Sequence, residues 1–223
     1  DELKAPGAPL GPGEIIYSNG FALMALARAE GAEVIDLGIV PDEVDATVAA
    51  IRRARDARAD ILLTTGGASV GDYDLVQRGL KAEGLELGFW RVALRPGRPM
   101  MNGRLGAMQV LGLPGNPVSA YVCAFLFLVP LIRRLAGRAD LQAAAESAVL
   151  GRELPENDER ADYLRATLAP GPDGTPVATP VSVQDSSMMA ALAKADCLVV
   201  REAFAPAAKA GSRCVILRLT RPF

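Results

Sequence analysis

The sequence predicts an α/β domain followed by a smaller β-rich, barrel-like domain, and three observations carry that expectation. A strand-like run, a helical stretch, a short apolar run, a glycine loop and a helix start succeed one another between residues 33 and 75, the order of α/β winding. The run Ile61-Leu62-Leu63 is continuously apolar, as in a strand buried on both faces of a parallel sheet. After about Asp140 the pattern changes to short alternating or β-branched runs separated by turns. The domains are expected at residues 1–140 and 141–223.

Residues 4–13 hold three prolines and three glycines and read as a loop. A helix follows over residues 18–30, with Ser18 or Asn19 as N-cap and Gly31 as its stop. Residues 33–40 read as a strand. Val44, Val48 and Ile51 then recur at helical spacing, with arginines on the other side. After the 61–63 strand the chain enters Gly66-Gly67-Ala68-Ser69-Val70-Gly71, and a helix can begin at Asp72. Two or three strands fit between Glu86 and Leu113, broken at Pro96-Gly97 and Asn102-Gly103. Pro114-Gly115-Asn116-Pro117 turns into a helix reaching Leu135, with Asn116 as N-cap, Pro117 at its first position and Gly137 as stop. Its apolar stretch, residues 118–132, falls short of the ~20 residues that cross a bilayer and reads as a buried helix. In the second domain, strands are expected around residues 163–168, 177–183, 197–200 and 214–217. A short helix at 187–195 and a hairpin turn at Pro172-Asp173-Gly174 complete it.

Composition narrows the chemistry. The 223 residues are 50% apolar and 22% charged, with a net charge of −2, an ordinary soluble globular balance. It offers no bulk attraction for nucleic acid or an anionic membrane. There is no histidine, which excludes the Ser-His-Asp triad, the Cys-His pair, the commonest zinc sites and histidine acid–base catalysis. Catalysis falls to carboxylates, Lys or Arg, hydroxyls, backbone amides or a hard cation such as magnesium. The three cysteines, Cys123, Cys197 and Cys214, show no CxxC spacing and read as small core hydrophobes of a reduced, cytosolic protein. The charged opening Asp1-Glu2-Leu3-Lys4 reads as a cut through a loop, so the chain is expected to be part of a longer protein.

Three segments carry chemistry. The loop Gly66 to Asp74 lies at the carboxyl end of a strand and at a helix start, where open α/β sheets bind ligands. Its glycines let backbone amides approach an anion, and Ser69 adds a hydroxyl donor. Asp72 and Asp74 in a first helical turn should be ionised, suited to holding magnesium or to capping. Arg91, Arg95 and Arg98 surround Pro96-Gly97; their forked donors match a tetrahedral oxyanion, or they are solvated surface groups. Pro114-Gly115-Asn116-Pro117 presents amides and an Asn side chain at a second helix start, or is a plain strand-to-helix corner.

Together, Gly-Gly-x-Ser-Val-Gly-x-x-Asp, an Arg-Pro-Gly-Arg-Pro turn and Leu-Pro-Gly-Asn-Pro-Val-Ser resemble, in order and spacing, the MoeA family of molybdopterin molybdenumtransferases. Gephyrin and plant Cnx1 E domains are related to it. Asp1-Glu2-Leu3 is similar to the end of that family's Thr-Gly-Asp-Glu-Leu motif, and Ile16-Tyr17-Ser18-Asn19, one residue shorter, to its Ile-Tyr-x-x-Asn. The resemblance implies a three-layer α/β/α molybdopterin-binding domain of MogA type and a C-terminal β domain. It implies magnesium-dependent insertion of molybdate into adenylylated molybdopterin, releasing AMP. Carried over, Gly66, Gly67, Ser69, Gly71, Asp72, Pro114, Gly115, Asn116 and Pro117 would hold the pterin nucleotide. Asp74 would be catalytic and, with Glu2, would hold the metal. Arg95 and Arg98 replace the lysines of a Lys-Pro-Gly-Lys turn and, with Arg165, Ser186 and Ser187, would receive molybdate. In the C-terminal domain, Asp196 stands where the family has Asn.

The resemblance also implies a homodimer, a MogA-type partner, and two further domains preceding this part that supply acidic residues from across the dimer. This chain alone would then form one wall of a two-walled site and turn over poorly. Three rivals remain: a MogA-like adenylyltransferase, a competence-damage-type nucleotide hydrolase, and a non-catalytic peptide-binding scaffold.

Overall fold

The computed structural model describes residues 2–66 and 75–219, which pack as two units: residues 1–92 with 99–115, and residues 93–98 with 116–223.

In the first unit, β1 (Leu3–Lys4) and β2 (Ile15–Ile16) form a small parallel pair. Helix α1 (Asn19–Ala29) begins where expected, but Ser18 occupies the N-cap without a side-chain cap bond. Gly31, at φ 89°, ends it. Residues 33–40 form no strand. There Asp36 accepts the Gly38 amide at 2.8 Å and Gly38 takes φ 76°, a local turn that interrupts extended pairing. Helix α2 (Val44–Asp56) buries Thr47, Ala50, Ile51 and Ala54. Thr47 donates its hydroxyl to Glu43 O, which lets a polar residue sit on the buried face.

The main sheet has the order β3 (Ile61–Thr65), β7 (Met108–Leu113), β6 (Met101–Leu105), β4 (Glu86–Trp90). Only β3 and β7 are parallel; the other two pairings are antiparallel, so the sheet is mixed. The cause is local. Strands β6 and β7 are joined by a two-residue hairpin at Gly106, whose φ of 61° such tight turns require. Asn102-Gly103, expected as a break, lies inside β6. A Cβ on Gly103 would meet Glu86 O at 2.7 Å, so this glycine serves close strand approach rather than a turn. The doubly buried strand is β7, with Met108 and Val110 on one face and Leu111 and Leu113 on the other; in β3 only Leu62 is fully buried. Ile51, Ala54 and Leu80 of α2 and α3 (Leu75–Ala82) pack on Leu62, Met101, Leu105, Met108 and Val110.

The second unit is a closed five-stranded barrel. Its strands run β10 (Pro176–Pro180), β8 (Ala145–Leu150), β12 (Arg213–Arg218), β11 (Cys197–Arg201), β9 (Ala161–Pro170), and β9 pairs back onto β10. Closure leaves no free edge within the ring. Alternate residues point inward, where Ala148, Leu150, Ala166, Ala178, Cys197, Val199 and Ile216 fill the barrel. The β9–β10 turn is the expected one, with Asp173 accepting from Thr175. Outside, β5 (Leu94–Arg95) adds to β9 in parallel.

Helix α4 (Pro117–Leu135) belongs to this unit. Its 19 residues, the most apolar 18 of which average a hydropathy of 1.7, are long and apolar enough to cross a membrane by length and composition. Here Val118, Val122 and Phe125 pack with Leu198 of β11 and Leu192 of α5 (Met189–Ala193), the buried helix the sequence predicts. A π-helical turn at Ala124–Leu128 precedes Pro130. Proline lacks the N–H and its ring crowds the carbonyl four residues back, so a widened turn accommodates it.

Candidate functional site

In the first unit, the carboxyl ends of the two parallel strands come together. Gly66 follows β3 at φ 76°, and its amide donates to Leu113 O at 3.1 Å. Gly115, which with Pro114 follows β7, packs against Gly66: a Cβ built on it would lie 3.6 Å from Gly66 Cα. At the start of α1, Asn19 Nδ2 donates to Gly115 O at 2.7 Å. Three elements therefore converge at the sheet end where α/β proteins bind ligands. Asn19 Oδ1 and Thr64 Oγ1 are buried there without partners among the described residues. Asn19 was not among the expected site residues; its place in the Ile-Tyr-x-x-Asn match was the available signal. Gly67, Ser69, Gly71, Asp72 and Asp74 lie outside the described residues.

The barrel unit gathers a second set. Asn116 holds the N-cap position of α4, but its side chain does not cap the helix; Nδ2 donates to Ser186 Oγ at 2.8 Å. Ser186 O in turn accepts the Val118 amide at 3.0 Å. One of the helix's first N–H groups, expected to face a ligand, is thus already used. Pro117 stands at the first helical position. Ser187 is turned back on Asp185, which accepts from both its amide and its hydroxyl. Those bonds, hydroxyl first, hold the Asp185 carboxyl below its ordinary range.

Arg165 has surroundings that are unusual for a charged residue. It lies on β9 opposite Leu198 and is 0% exposed. Its backbone is clamped by Gln184, whose side-chain amide both accepts from Arg165 N and donates to Arg165 O. The guanidinium Nε and both terminal nitrogens have no hydrogen-bond partner among the described residues. Burial pushes its pKa down, with Asp185 the opposing charge. A forked cation buried without hydrogen bonds is costly in the free protein and suited to an incoming oxyanion.

The arginine turn lies beside this strand. Arg95 is paired with Asp158 and, at 3.4 Å, with Asp162. Asp158, bonded foremost by Arg160 and then by Arg95, has its carboxyl depressed to about 2. Asp162 is 8% exposed, and burial raises its pKa. Arg98 is exposed, with no partner among the described residues. Gly97, at φ 119°, fits the turn against α4: a Cβ there would lie 2.2 Å from Cys123 Sγ. Arg91 leaves this set and lies over the Trp90 ring.

Glu2 is exposed, and no group of three or more His, Cys, Asp or Glu side chains forms a metal site among the described residues. The described residues therefore do not make a magnesium site by themselves.

Fold and site define an α/β ligand-binding domain followed by a small barrel carrying an arginine site. Residues 1–134 match the family model described as "Probable molybdopterin binding domain", and residues 147–219 match "MoeA C-terminal region (domain IV)". The chain belongs to the MoeA family. It is 35% identical over 204 residues to a molybdopterin molybdenumtransferase of Haemophilus influenzae, covering 91% of this chain and 50% of that protein. A Bacillus subtilis protein of the same name is 34% identical over 199 residues, covering 89% and 46%. A crystal structure titled as a molybdopterin biosynthesis MoeA protein from Pyrococcus horikosii aligns with TM-score 0.81 at 26% identity, covering 97% of this chain and 51% of that one. The chain thus spans about half the length of the relatives it matches.

Proposed function

We propose that this chain is the pterin-binding and molybdate-receiving half of a molybdopterin molybdenumtransferase in molybdenum cofactor biosynthesis, with evolutionary domains at residues 1–140 and 141–223. The reaction is insertion of molybdate into adenylylated molybdopterin with release of AMP. The observation that carries the oxyanion part of this reading is the buried, unpartnered guanidinium of Arg165. A tetrahedral dianion supplies the hydrogen-bond acceptors and the negative charge that this group lacks. Ser186, held by Asn116 and two residues beyond the Gln184 that clamps the Arg165 backbone, is assigned as a hydroxyl donor, and the Arg95–Arg98 turn adds positive charge.

On the pterin side, the Gly66 and Gly115 turns let the main chain come close to a pyrophosphate. Gly67, Ser69, Gly71 and Asp72 are assigned to the same nucleotide by the resemblance alone, and Asn19 Oδ1 accepts from a ligand N–H. Asp74 is the residue assigned to the chemistry. The magnesium expected for the family would supply Lewis acidity at the phosphate. A cytoplasmic homodimer, served by a MogA-type enzyme that makes the adenylylated pterin, completes the reading. The match to a MoeA C-terminal region argues against a MogA-like enzyme or a nucleotide hydrolase.

The test is calorimetric titration with molybdate of the wild type and Arg165→Met. Saturable binding by the wild type, weakened at least tenfold in the variant, supports the reading. Equal binding by both removes Arg165 from it, and no binding by either refutes oxyanion capture.

A further inference from the structure

The two arginines of the Arg-Pro-Gly-Arg turn have different surroundings, and that difference assigns them different work. Arg95 stands on β5, whose register with β9 sets Leu94 against Ala161 and Arg95 against Asp162. The Ala161 amide donates to Ala93 O at 3.0 Å, which fixes the start of that pairing. From this position the Arg95 fork reaches two carboxylates: one terminal nitrogen bonds Asp158 and the other contacts Asp162 at 3.4 Å. A planar fork with two outward nitrogens suits two separate carboxylates in a way that a lysine's single ammonium does not. Arg98 has no such partner among the described residues and is exposed. The intervening Gly97 is seated against Cys123 of α4, so the turn that carries Arg98 is held to the helix.

We propose that Arg95 is a positioning residue, tied by Asp158 and Asp162 to the barrel strand, and that Arg98 alone of this turn receives the oxyanion. The assignment rests on the molybdate reading above and sharpens it. Any anion approaching the Arg95 guanidinium also approaches the two carboxylates bonded to it, of which only Asp158 is shared with Arg160, so attraction and repulsion oppose each other. An anion approaching Arg98 meets no carboxylate bonded to that side chain among the described residues. The same geometry accounts for arginine at position 95, where the resemblance expects lysine: the side chain matches a pair of protein carboxylates.

The experiment is equilibrium titration of the whole chain with sodium molybdate, for the wild type, Arg98→Gln and the double variant Asp158→Asn/Asp162→Asn. Circular dichroism checks that each is folded. Arg98→Gln is expected to weaken binding at least tenfold. The double variant is expected to bind several-fold more tightly, because Arg95 is released and the repulsion removed. If Arg95 were instead a receiver oriented by its carboxylates, the double variant would bind more weakly, and that result overturns the proposal. So does unchanged binding by Arg98→Gln, an exposed substitution that tests the assignment even if the double variant does not fold. Absence of binding by the wild type defeats the molybdate reading itself, and the proposal with it. Wild-type binding that Arg98→Gln leaves intact defeats the proposal alone.

Discussion

Replacing Arg165 by methionine should make the protein more stable while disabling it. In the free chain this side chain is 0% exposed, and all its guanidinium nitrogens lack partners among the described residues. An orphaned buried donor costs about 1–3 kcal/mol, and more where charge is involved. Asp185 is exposed and returns only a screened attraction. Methionine keeps most of the apolar stem and removes the charge, at the cost of some packing where the guanidinium sat. The expected net gain is about 1–2 kcal/mol, or roughly 2–8 °C in Tm at about 2–4 °C per kcal/mol for a chain of this size. Differential scanning calorimetry without and with molybdate measures both halves of the claim. Molybdate should raise the Tm of the wild type and leave that of Arg165→Met unmoved. A variant that melts several degrees below the wild type without molybdate would show that the guanidinium is satisfied in the fold, and the reasoning from its burial would fail.

Other expectations follow from single contacts. Gly97→Ala sets a Cβ 2.2 Å from Cys123 Sγ at φ 119°; left-handed strain and overpacking together should cost about 2–4 kcal/mol in urea unfolding. Adding Cys123→Ala should recover only the packing part. Asp158, whose carboxyl is depressed to about 2 foremost by Arg160, contributes stability that is present above the unfolded carboxylate value and lost as pH falls through about 2. Asp158→Asn should therefore flatten the acid limb of the stability profile between about pH 4 and 2. Burial pushes the thiols of Cys123 and Cys197 up to about 12, so iodoacetamide at pH 8 should modify only Cys214 in the native state, and slowly. Mass spectrometry of the labelled peptides checks this, and rapid labelling of Cys123 would contradict the packing of α4.

Several elements were legible because their cause is local. The spacing of Val44, Val48 and Ile51, the prolines and glycines around α4, and the Pro172-Asp173-Gly174 turn each specify geometry within a few residues. The missing strand at residues 33–40 had a local signal that apolar content obscured, an Asp36–Gly38 turn within an apolar run. Gly103 was misread because glycine marks both turns and close strand approaches, and only the position of Glu86 O distinguishes them. Among the site residues, the Gly66 and Gly115 turns were visible as strand ends, whereas the family motif signalled Asn19 without giving it a role.

By itself the sequence determined the class of chemistry: no histidine, glycine turns at strand ends, and arginines bracketing a Pro-Gly. Residue type and spacing suffice for that, since they limit which donors and acceptors exist. Only the tertiary structure decided what each arginine does. One guanidinium is buried on β9 without a described partner, one is bonded to two carboxylates 63 and 67 residues further along the chain, and one is exposed. Electrostatic free energy depends on burial and on distant partners rather than on neighbours in sequence. The same side chain can therefore be a ligand-binding group or a structural tie according to where the chain returns.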